Sequence, residues 1–301
     1  MKYIPVIPWI DKDTLLHLRL PFSFFLMPVF LFALSQAPVI QWPETVLAFL
    51  ILHLLVFPSS NGYNSYQDKD TTSIGLLKNP PPVSRRLFYS TLAMDILAVF
   101  AGLAVSFLFS CLVLTFILVS RAYSYRGIRL KRFPVTAFLI VSLFQGGFVF
   151  LMSVTAITDS AALPALSGNI IYGMAISSLF IGSIYPLTQI YQHEADKRDG
   201  VITISYKLGY LGTFIFSSLL FLIATVFIYL LFNEAGRSGY FSIFMVMMFP
   251  VIITMVWWFI KVMQNTSGAS YSNTMKMNVV TSACMNLYFL LLIVNRYEKW
   301  F

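Results

Sequence analysis

Apolar residues occupy nine long stretches of this 301-residue chain, and most charged residues, prolines and glycines lie in the short segments between them. A helix needs about 20 predominantly apolar residues to cross the hydrocarbon core of a bilayer. The pattern therefore predicts nine transmembrane helices, at about residues 21–37, 44–60, 87–104, 106–122, 134–157, 168–190, 208–232, 240–262 and 275–295.

The composition agrees with a membrane protein and excludes an ordinary soluble one. Hydrophobic residues make up 58% of the chain and charged residues only 11%, whereas soluble domains carry roughly 25% charged residues. The fold class predicted is all-α, a polytopic membrane protein. Residues 1–301 are expected to form a single transmembrane domain with no separate soluble part.

The basic residues predict the orientation of the helices. With the N-terminus in the cytoplasm, nine spans place all but three of the 20 Lys and Arg residues on the cytoplasmic side, the exceptions being Arg237, Arg296 and Lys299. Cytoplasmic loops carry an excess of basic residues, so we predict a cytoplasmic N-terminus. The net charge of +8 then reflects topology beside a lipid bilayer, and we predict no nucleic-acid partner.

The few acidic residues gather in two clusters at the cytoplasmic ends of predicted spans. Asp68 and Asp70 follow the second span, and a second cluster, QHEADKRDG at 192–200, follows the sixth. The segment 120–132 on the same side has five basic residues and no acid. Carboxylate and amide oxygens are ligands for Mg²⁺, and Arg and Lys bind phosphate oxygens. These segments predict a diphosphate–Mg²⁺ site above an apolar chamber that takes an oily tail.

Residue spacing supports this interpretation. Asn64 and Asp68 are four residues apart, as are Gln192 and Asp196, and Asp199 follows three residues later. Residues four apart share one face of a helix, so each cluster can direct two or three oxygen atoms to one place. The alternative is that both clusters are solvated helix ends balanced by neighbouring Lys and Arg residues. Two clusters with the same spacing on one side favour the binding site.

The motifs resemble those of a known family. The second cluster leads into Gly200, Thr203 and Leu208-Gly209, the basic loop reads SYRGIRLKR, and the first span opens with LRLPFSFFLMP. On these residues the chain resembles the UbiA superfamily of intramembrane prenyltransferases over essentially its whole length. Those proteins have nine helices, a motif NDxxDxxxD after the second and a motif DxxxD after the sixth. The resemblance implies nine helices around a central apolar chamber.

Three positions depart from the family pattern. Ser65, Thr72 and Gln192 stand where the family has Asp. Gln192 still offers a carbonyl oxygen to a cation, and Asp70 is a substitute acid, although it lies on a different helical face unless the chain bends. The resemblance therefore implies a metal site that is less anionic than is usual in the family.

The resemblance also implies the activity and the roles of individual residues. The family transfers a prenyl group from its diphosphate to a lipophilic, often aromatic, acceptor with the help of Mg²⁺. Catalysis is then expected to depend on Asp68 and Asp196. Magnesium is expected to be bound by Asn64, Asp68, Asp70, Gln192, Asp196 and Asp199. The diphosphate is expected to be bound by Arg19, Arg126, Arg129, Lys131 and Lys197.

Asp95 is a further catalytic candidate. It lies about nine residues into the third span, roughly 13 Å deep at 1.5 Å per residue. An acid at that depth is a functional candidate, here one that orients the acceptor or takes its proton. The competing interpretation is a hydrogen-bonded or protonated structural residue.

Other functions stay open on the sequence alone. One is a terpene cyclase of the same fold, which ionises a prenyl diphosphate without a second substrate. Another is a non-catalytic relative or a transporter, although transporters place acids or broken helices near the middle of the membrane. The expected location is the inner membrane of a bacterium, with the active site facing the cytoplasm. The sequence does not identify the acceptor or the length of the prenyl chain.

Overall fold

Nine helices long and apolar enough to cross a membrane form the part of the chain that the structure describes. The structure is a computed structural model, and it describes residues 11–158 and 168–298. Within these ranges there is no β-strand, only an isolated bridge between Ile74 and Leu77. The nine predicted spans are confirmed. They are α1 Lys12–Gln36, α2 Trp42–Asp68, α3 Arg85–Leu103, α4 Phe107–Ser124, α5 Pro134–Ile157, α6 Gly168–Arg198, α7 Ile204–Glu234, α8 Ser238–Gln264 and α9 Tyr271–Glu298.

Several helices are longer than the apolar stretches that predicted them. Helix α2 continues to Asp68 and α6 to Arg198, because backbone hydrogen bonding does not stop where the side chains become polar. Helix α1 begins at Lys12, where Asp11 caps it by accepting a hydrogen bond from the Thr14 N–H at 2.8 Å. These polar extensions carry Asn64, Asp68, Gln192 and Asp196, which hydropathy alone places outside the spans.

The outer surface of the bundle is apolar. Phe100, Phe107 and Val246 are 67%, 77% and 69% exposed, respectively. Such exposure is unusual for a protein in water, where large apolar patches mark interaction sites. In a bilayer these side chains contact lipid, so they need no protein partner.

The helices form a closed ring. Each helix packs on the next along the chain, and α9 returns to pack on α1. A ring of this kind leaves interior space between the helices. This space holds the two cavities that form the candidate site.

Helices α5 and α6 approach each other closely at glycine residues. Ser142–Phe148 in α5 is a π-helical segment, and it contains Gly146 and Gly147. Gly173 in α6 lies against the ring of Phe150 in α5. Small residues allow helix backbones to approach within membranes, and π-helical segments are frequent at functional sites. The segment matters here because it also carries Gln145, which lines both cavities.

Replacing Gly146 with alanine is expected to destabilise the bundle. The added Cβ would lie 2.5 Å from Ser178 Cα and 2.6 Å from the Ser177 carbonyl oxygen, so a backbone must shift. Overpacking of this kind costs about 1–3 kcal/mol, to be measured as the free energy of unfolding in bicelles titrated with SDS. Gly239→Ala is the matched control, because nothing lies within 4 Å of its added Cβ. Equal stability of the two variants would contradict the tight contact.

Candidate active site

A polar cavity opens where α2 ends. Asn64 and Asp68 lie one turn apart on α2, and both line the cavity. Lys69 then adopts a left-handed conformation, with φ 54°, and ends the helix. This bend brings Asp70 onto the cavity wall as well. Asp70 therefore supplies a third oxygen-bearing side chain from the first cluster.

The second cluster reaches the same cavity from α6. The helix narrows to a 3₁₀ turn at Ile190–Gln192 before it resumes, and both Gln192 and Asp196 line the cavity. Gln192 Nε2 donates to the Ser73 carbonyl oxygen at 3.3 Å. With its amide nitrogen used in this way, Gln192 offers its carbonyl oxygen to a ligand. The two clusters thus converge.

Two basic side chains line the cavity with these acids. Arg19 breaks α1 with a left-handed backbone, φ 47°, and is 8% exposed. Its Nη2 donates to the Asn61 carbonyl oxygen at 3.0 Å, while its Nε has no hydrogen-bond partner within the described ranges. A buried guanidinium with a spare donor on a cavity wall is suited to an anion.

Lys131 is the second of these basic residues and forms an ion pair with Asp68. Arg129 Nη2 lies 4.0 Å from Asp68 Oδ1. These contacts fix the basic loop across the end of α2. They also mean that Asp68 already has cationic neighbours.

Asp199 lies beside this loop and does not line the cavity. Arg129 forms an ion pair with its carboxylate and also donates to its carbonyl oxygen at 3.1 Å. Arg126 lies 3.5 Å from the other carboxylate oxygen and donates to the Gln67 carbonyl oxygen at 2.7 Å. Asp199 therefore serves here to fasten the basic loop between the two clusters.

Negative charge is crowded on the cavity wall. Burial, followed by the nearby carboxylate of Asp68, raises the pKa of Asp70 to about 6, although Lys131 and Arg19 act in the opposite direction. A like charge disfavours the ionised form of a neighbouring carboxyl group. A bound cation would relieve this repulsion.

The remaining two predicted residues lie away from the cavity. Lys197 is exposed, with its Nζ 5.6 Å from the centre of the Tyr206 ring. Asp95 is 8% exposed and lines neither cavity. Arg121 forms an ion pair with its carboxylate, with Nε donating to Asp95 Oδ2 at 2.8 Å. Ser59 Oγ lies 2.5 Å from Asp95 Oδ1.

Hydrogen bonds between helices align the ligand-bearing helix α2. The hydroxyls of Ser60 and Ser120 lie 2.5 Å apart, and Asn64 Nδ2 donates to Ser124 Oγ at 3.0 Å. Together with the Asp95–Arg121 pair, these contacts connect α2 to α3 and α4. They set the rotation that points Asn64 and Asp68 into the cavity.

An apolar chamber continues from the polar cavity. The two share the side chains Phe22, Val141, Gln145, Tyr185, Thr188 and Asn278. Its deeper wall includes Phe32, Phe180 and Phe289, and no charged residue lines it within the described ranges. The arrangement suits a molecule with a charged head and an apolar tail.

Sequence reasoning missed the polar side chains at the junction of the two cavities. Tyr123 and Tyr185 form a hydroxyl pair at 2.7 Å, and both line the polar cavity. Gln145 and Asn278 line both cavities. The sequence did contain a signal for these two residues, since each is a polar amide inside an apolar span. A polar residue at that depth is a functional candidate, as was argued for Asp95.

The donor atoms fit magnesium. In the described part of the chain no three His, Cys, Asp or Glu side chains are arranged as a metal cage. Mg²⁺ does not need such a cage, since it is usually held by one or two carboxylates together with waters and substrate phosphates. Asp68, Asp70 and Asp196, with the amides of Asn64 and Gln192, present oxygen atoms around one cavity. This set suits a hard cation.

Comparison with known proteins agrees with the geometry. The model of the UbiA prenyltransferase family matches residues 25–280. No sequence among curated proteins matches the chain.

Solved structures share the fold. A UbiA homologue from Archaeoglobus fulgidus bound to GPP and Mg²⁺ is 19% identical, with a TM-score of 0.68 over 94% of this chain and 100% of that one. The apo UbiA homologue from Aeropyrum pernix K1 is 16% identical, with a TM-score of 0.66 over 91% and 98%. A digeranylgeranylglyceryl phosphate synthase is 17% identical, with a TM-score of 0.60 over 94% and 97%.

Proposed function

Because the chain belongs to the UbiA prenyltransferase family, we propose that it transfers an isoprenyl chain from its diphosphate to a lipophilic acceptor within the membrane. The observation that carries this proposal is the pair of joined cavities. The polar cavity is lined by acids, amides and basic side chains. The chamber that continues from it is mainly apolar and has no charged side chain among the described residues. A prenyl diphosphate has the same two parts.

The diphosphate would lie in the polar cavity. Arg19 and Lys131 line it and would bind phosphate oxygens, with Arg129 next to them. Arg126 would act at the rim, where it fastens the loop. Lys197 follows Asp196 directly in the sequence, but its exposed side chain makes no contact that supports a role in this cavity.

Magnesium would be held by Asp68, Asp70 and Asp196, with Asn64 and Gln192 in support. When bound there, the ion would neutralise charge on the diphosphate as the bond to the prenyl chain breaks. Homologues solved with GPP or DMAPP and Mg²⁺ support this assignment. Asp199 is engaged by Arg129 and Arg126, so its contribution would be to hold the loop.

The residues of the chain would carry out the remaining tasks. The bond between C1 of the prenyl chain and the diphosphate oxygen breaks, and the diphosphate keeps the electron pair. The acceptor forms the new bond to C1 and loses one proton. Arg19 and Lys131 would stabilise the charge on the leaving diphosphate, and the apolar chamber would exclude water from the allylic cation.

The distribution of basic residues supports a proposed orientation in the membrane. We place the N-terminus and the polar cavity on the cytoplasmic side, since basic residues concentrate there. An integral protein of a bacterial inner membrane would then receive its water-soluble diphosphate from the cytoplasm and its acceptor from the bilayer.

The test is release of diphosphate by the purified protein in nanodiscs. It would be incubated with geranyl, farnesyl or geranylgeranyl diphosphate, with Mg²⁺ or with EDTA, and with or without aromatic acceptors. We expect release that requires both Mg²⁺ and an acceptor, with a prenylated product seen by mass spectrometry. Mg²⁺-dependent release with a hydrocarbon or alcohol product and no acceptor would instead identify a cyclase. No release, with no binding of a diphosphate, would exclude both activities.

A further inference from the structure

Two lysine side chains from neighbouring helices converge on one tryptophan at the outer surface of the bundle. Lys276 Nζ on α9 lies 4.2 Å from the centre of the Trp257 ring on α8, and Lys261 Nζ lies 5.0 Å from it. All three residues are exposed, Trp257 by 40%. The ring face attracts each ammonium group, but two ammonium groups at one ring repel each other.

No acidic side chain compensates this lysine pair. Residues 235–297 contain no Asp or Glu, and neither lysine forms an ion pair within the described ranges. Other basic side chains at this end of the bundle do have acidic partners, since Arg86 pairs with Asp11 and Lys131 with Asp68. The lysine pair is therefore open to an anion from outside the chain, and that anion would offset the repulsion between the two ammonium groups.

The connection between α8 and α9 holds the two lysine-bearing helices together. Trp258, the residue after Trp257, is fully buried, and its Nε1 donates to the Gly268 carbonyl oxygen at 2.9 Å. Asn273 Nδ2 on α9 donates to the same oxygen at 2.8 Å. A Cβ added to Gly268 would lie 3.0 Å from the Lys261 carbonyl oxygen, so the connection packs directly on the end of α8. The two lysines therefore project from backbones in a fixed arrangement.

The surface of α8 beside the lysine pair is apolar for the depth of one lipid leaflet. Lys261, Trp257, Ile253, Phe249 and Val246 are all exposed, and their spacing of three or four residues places them on one face of the helix. The face from Trp257 to Val246 is about 16 Å long at 1.5 Å per residue. That length is about half of the ~30 Å hydrocarbon core of a bilayer.

We propose that Lys261, Lys276 and Trp257 bind the head group of an anionic phospholipid, whose acyl chains lie along the apolar face of α8. The head group supplies the negative charge and the acceptor oxygens that two ammonium groups need. Tryptophan is enriched at membrane interfaces, and basic sites between transmembrane helices on the cytoplasmic side bind acidic lipid head groups. An acidic protein segment matches the charge of the lysine pair but not the apolar face that continues from it.

This lipid site is separate from the substrate cavities. Lys276 is exposed on the outside of α9, whereas its neighbours Met275 and Asn278 line the polar cavity. Neither Lys261 nor Trp257 lines a cavity. The bound lipid would therefore lie behind the cavity wall that α9 forms, and its binding does not require prenyl transfer.

The experiment measures lipid binding to the delipidated full-length protein by native mass spectrometry. The probes are phosphatidylglycerol and phosphatidylcholine with the same acyl chains. We expect the wild type to bind phosphatidylglycerol at least about tenfold more tightly, because basic residues near the membrane surface attract anionic lipids. Phosphatidylglycerol should also raise the melting temperature, since a ligand that binds only the native state stabilises it.

Paired variants locate the site. Lys261→Gln with Lys276→Gln should lower the affinity for phosphatidylglycerol to that for phosphatidylcholine. Lys261→Arg with Lys276→Arg should keep the preference, because arginine keeps the charge and also stacks on aromatic rings. Lys12→Gln with Lys78→Gln is the matched control, since it removes the same charge from two exposed lysines that lie over no aromatic ring in the described part of the chain. It should bind phosphatidylglycerol as the wild type does.

Four results would overturn the inference. They are equal wild-type affinity for the two lipids, an equal loss in both Gln pairs, competition by millimolar glycerol phosphate, which identifies a site for a soluble anion, and displacement of the lipid by an oligoglutamate peptide, which identifies a protein site. If the Lys261 and Lys276 Gln pair does not fold, the single variant Lys276→Gln should show a partial loss of the preference. Because no turnover is measured, failure here leaves the transferase proposal intact, and absence of transferase activity leaves the lipid site intact.

Discussion

Asp196→Asn is expected to lower the rate of Mg²⁺-dependent prenyl transfer by at least about 10³-fold, since a bound metal supplies several kcal/mol of charge stabilisation and each ~1.4 kcal/mol is tenfold in rate. Asp196 lines the polar cavity, and no ion pair engages it in the described ranges. The amide keeps the shape of the side chain and removes its charge. The same change at Asp68 would also leave Lys131 unpaired, so Asp196 gives the cleaner test.

The measurement is the rate of diphosphate release at saturating prenyl diphosphate over a range of Mg²⁺ concentrations. Asp13→Asn is the matched control, because Asp13 is an exposed acid at the start of α1, and its rate should match the wild type. Gln192→Asp should lower the Mg²⁺ concentration that gives half the maximal rate, because it adds a charge at the same wall. Asp196→Asn with more than a tenth of wild-type turnover would contradict the proposed role of Asp196 in binding Mg²⁺.

Asp95→Asn is expected to destabilise the protein by about 3–5 kcal/mol, the cost of breaking a buried ion pair and leaving one charge uncompensated. Arg121 would keep its positive charge beside Ser59 and the Tyr63 ring, whose centre lies 3.8 Å from its guanidinium carbon. This pair connects α3 to α4 and contacts α2 through Ser59. We therefore expect the main effect of Asp95→Asn to be a loss of stability.

Unfolding of this variant would be followed by SDS titration in bicelles. The double variant Asp95→Leu with Arg121→Met should recover most of the lost stability, because replacing both charges removes the unpaired one. A catalytic Asp95 gives a different result, namely wild-type stability with turnover reduced more than about 100-fold. That outcome would support a catalytic role for Asp95 and contradict a purely structural role for its ion pair with Arg121.

The contrast between Asp70 and Asp199 shows what the sequence could and could not predict. Both were candidate ligands from their nearness to a motif. The left-handed residue Lys69 brings Asp70 onto the cavity wall, although an ideal helix would have turned it away. Asp199 follows the end of its helix and pairs with Arg129 from a distant loop. The spacing of residues along the sequence predicts neither a backbone bend at a single residue nor an ion pair with a distant loop.

The sequence by itself determined the class of the protein, its nine helices and the ends at which its acids meet its bases. These follow from local quantities, since about 20 apolar residues are needed to cross a bilayer and residues four apart share a helical face. The tertiary structure alone decided which polar atoms stay unpaired in the described part of the chain, including those of Asn278 and Ser177. It also decided that Asp95 is paired with Arg121. The physical reason is that the availability of a polar group depends on partners supplied by other helices, and sequence periodicity records only the helix to which a residue belongs.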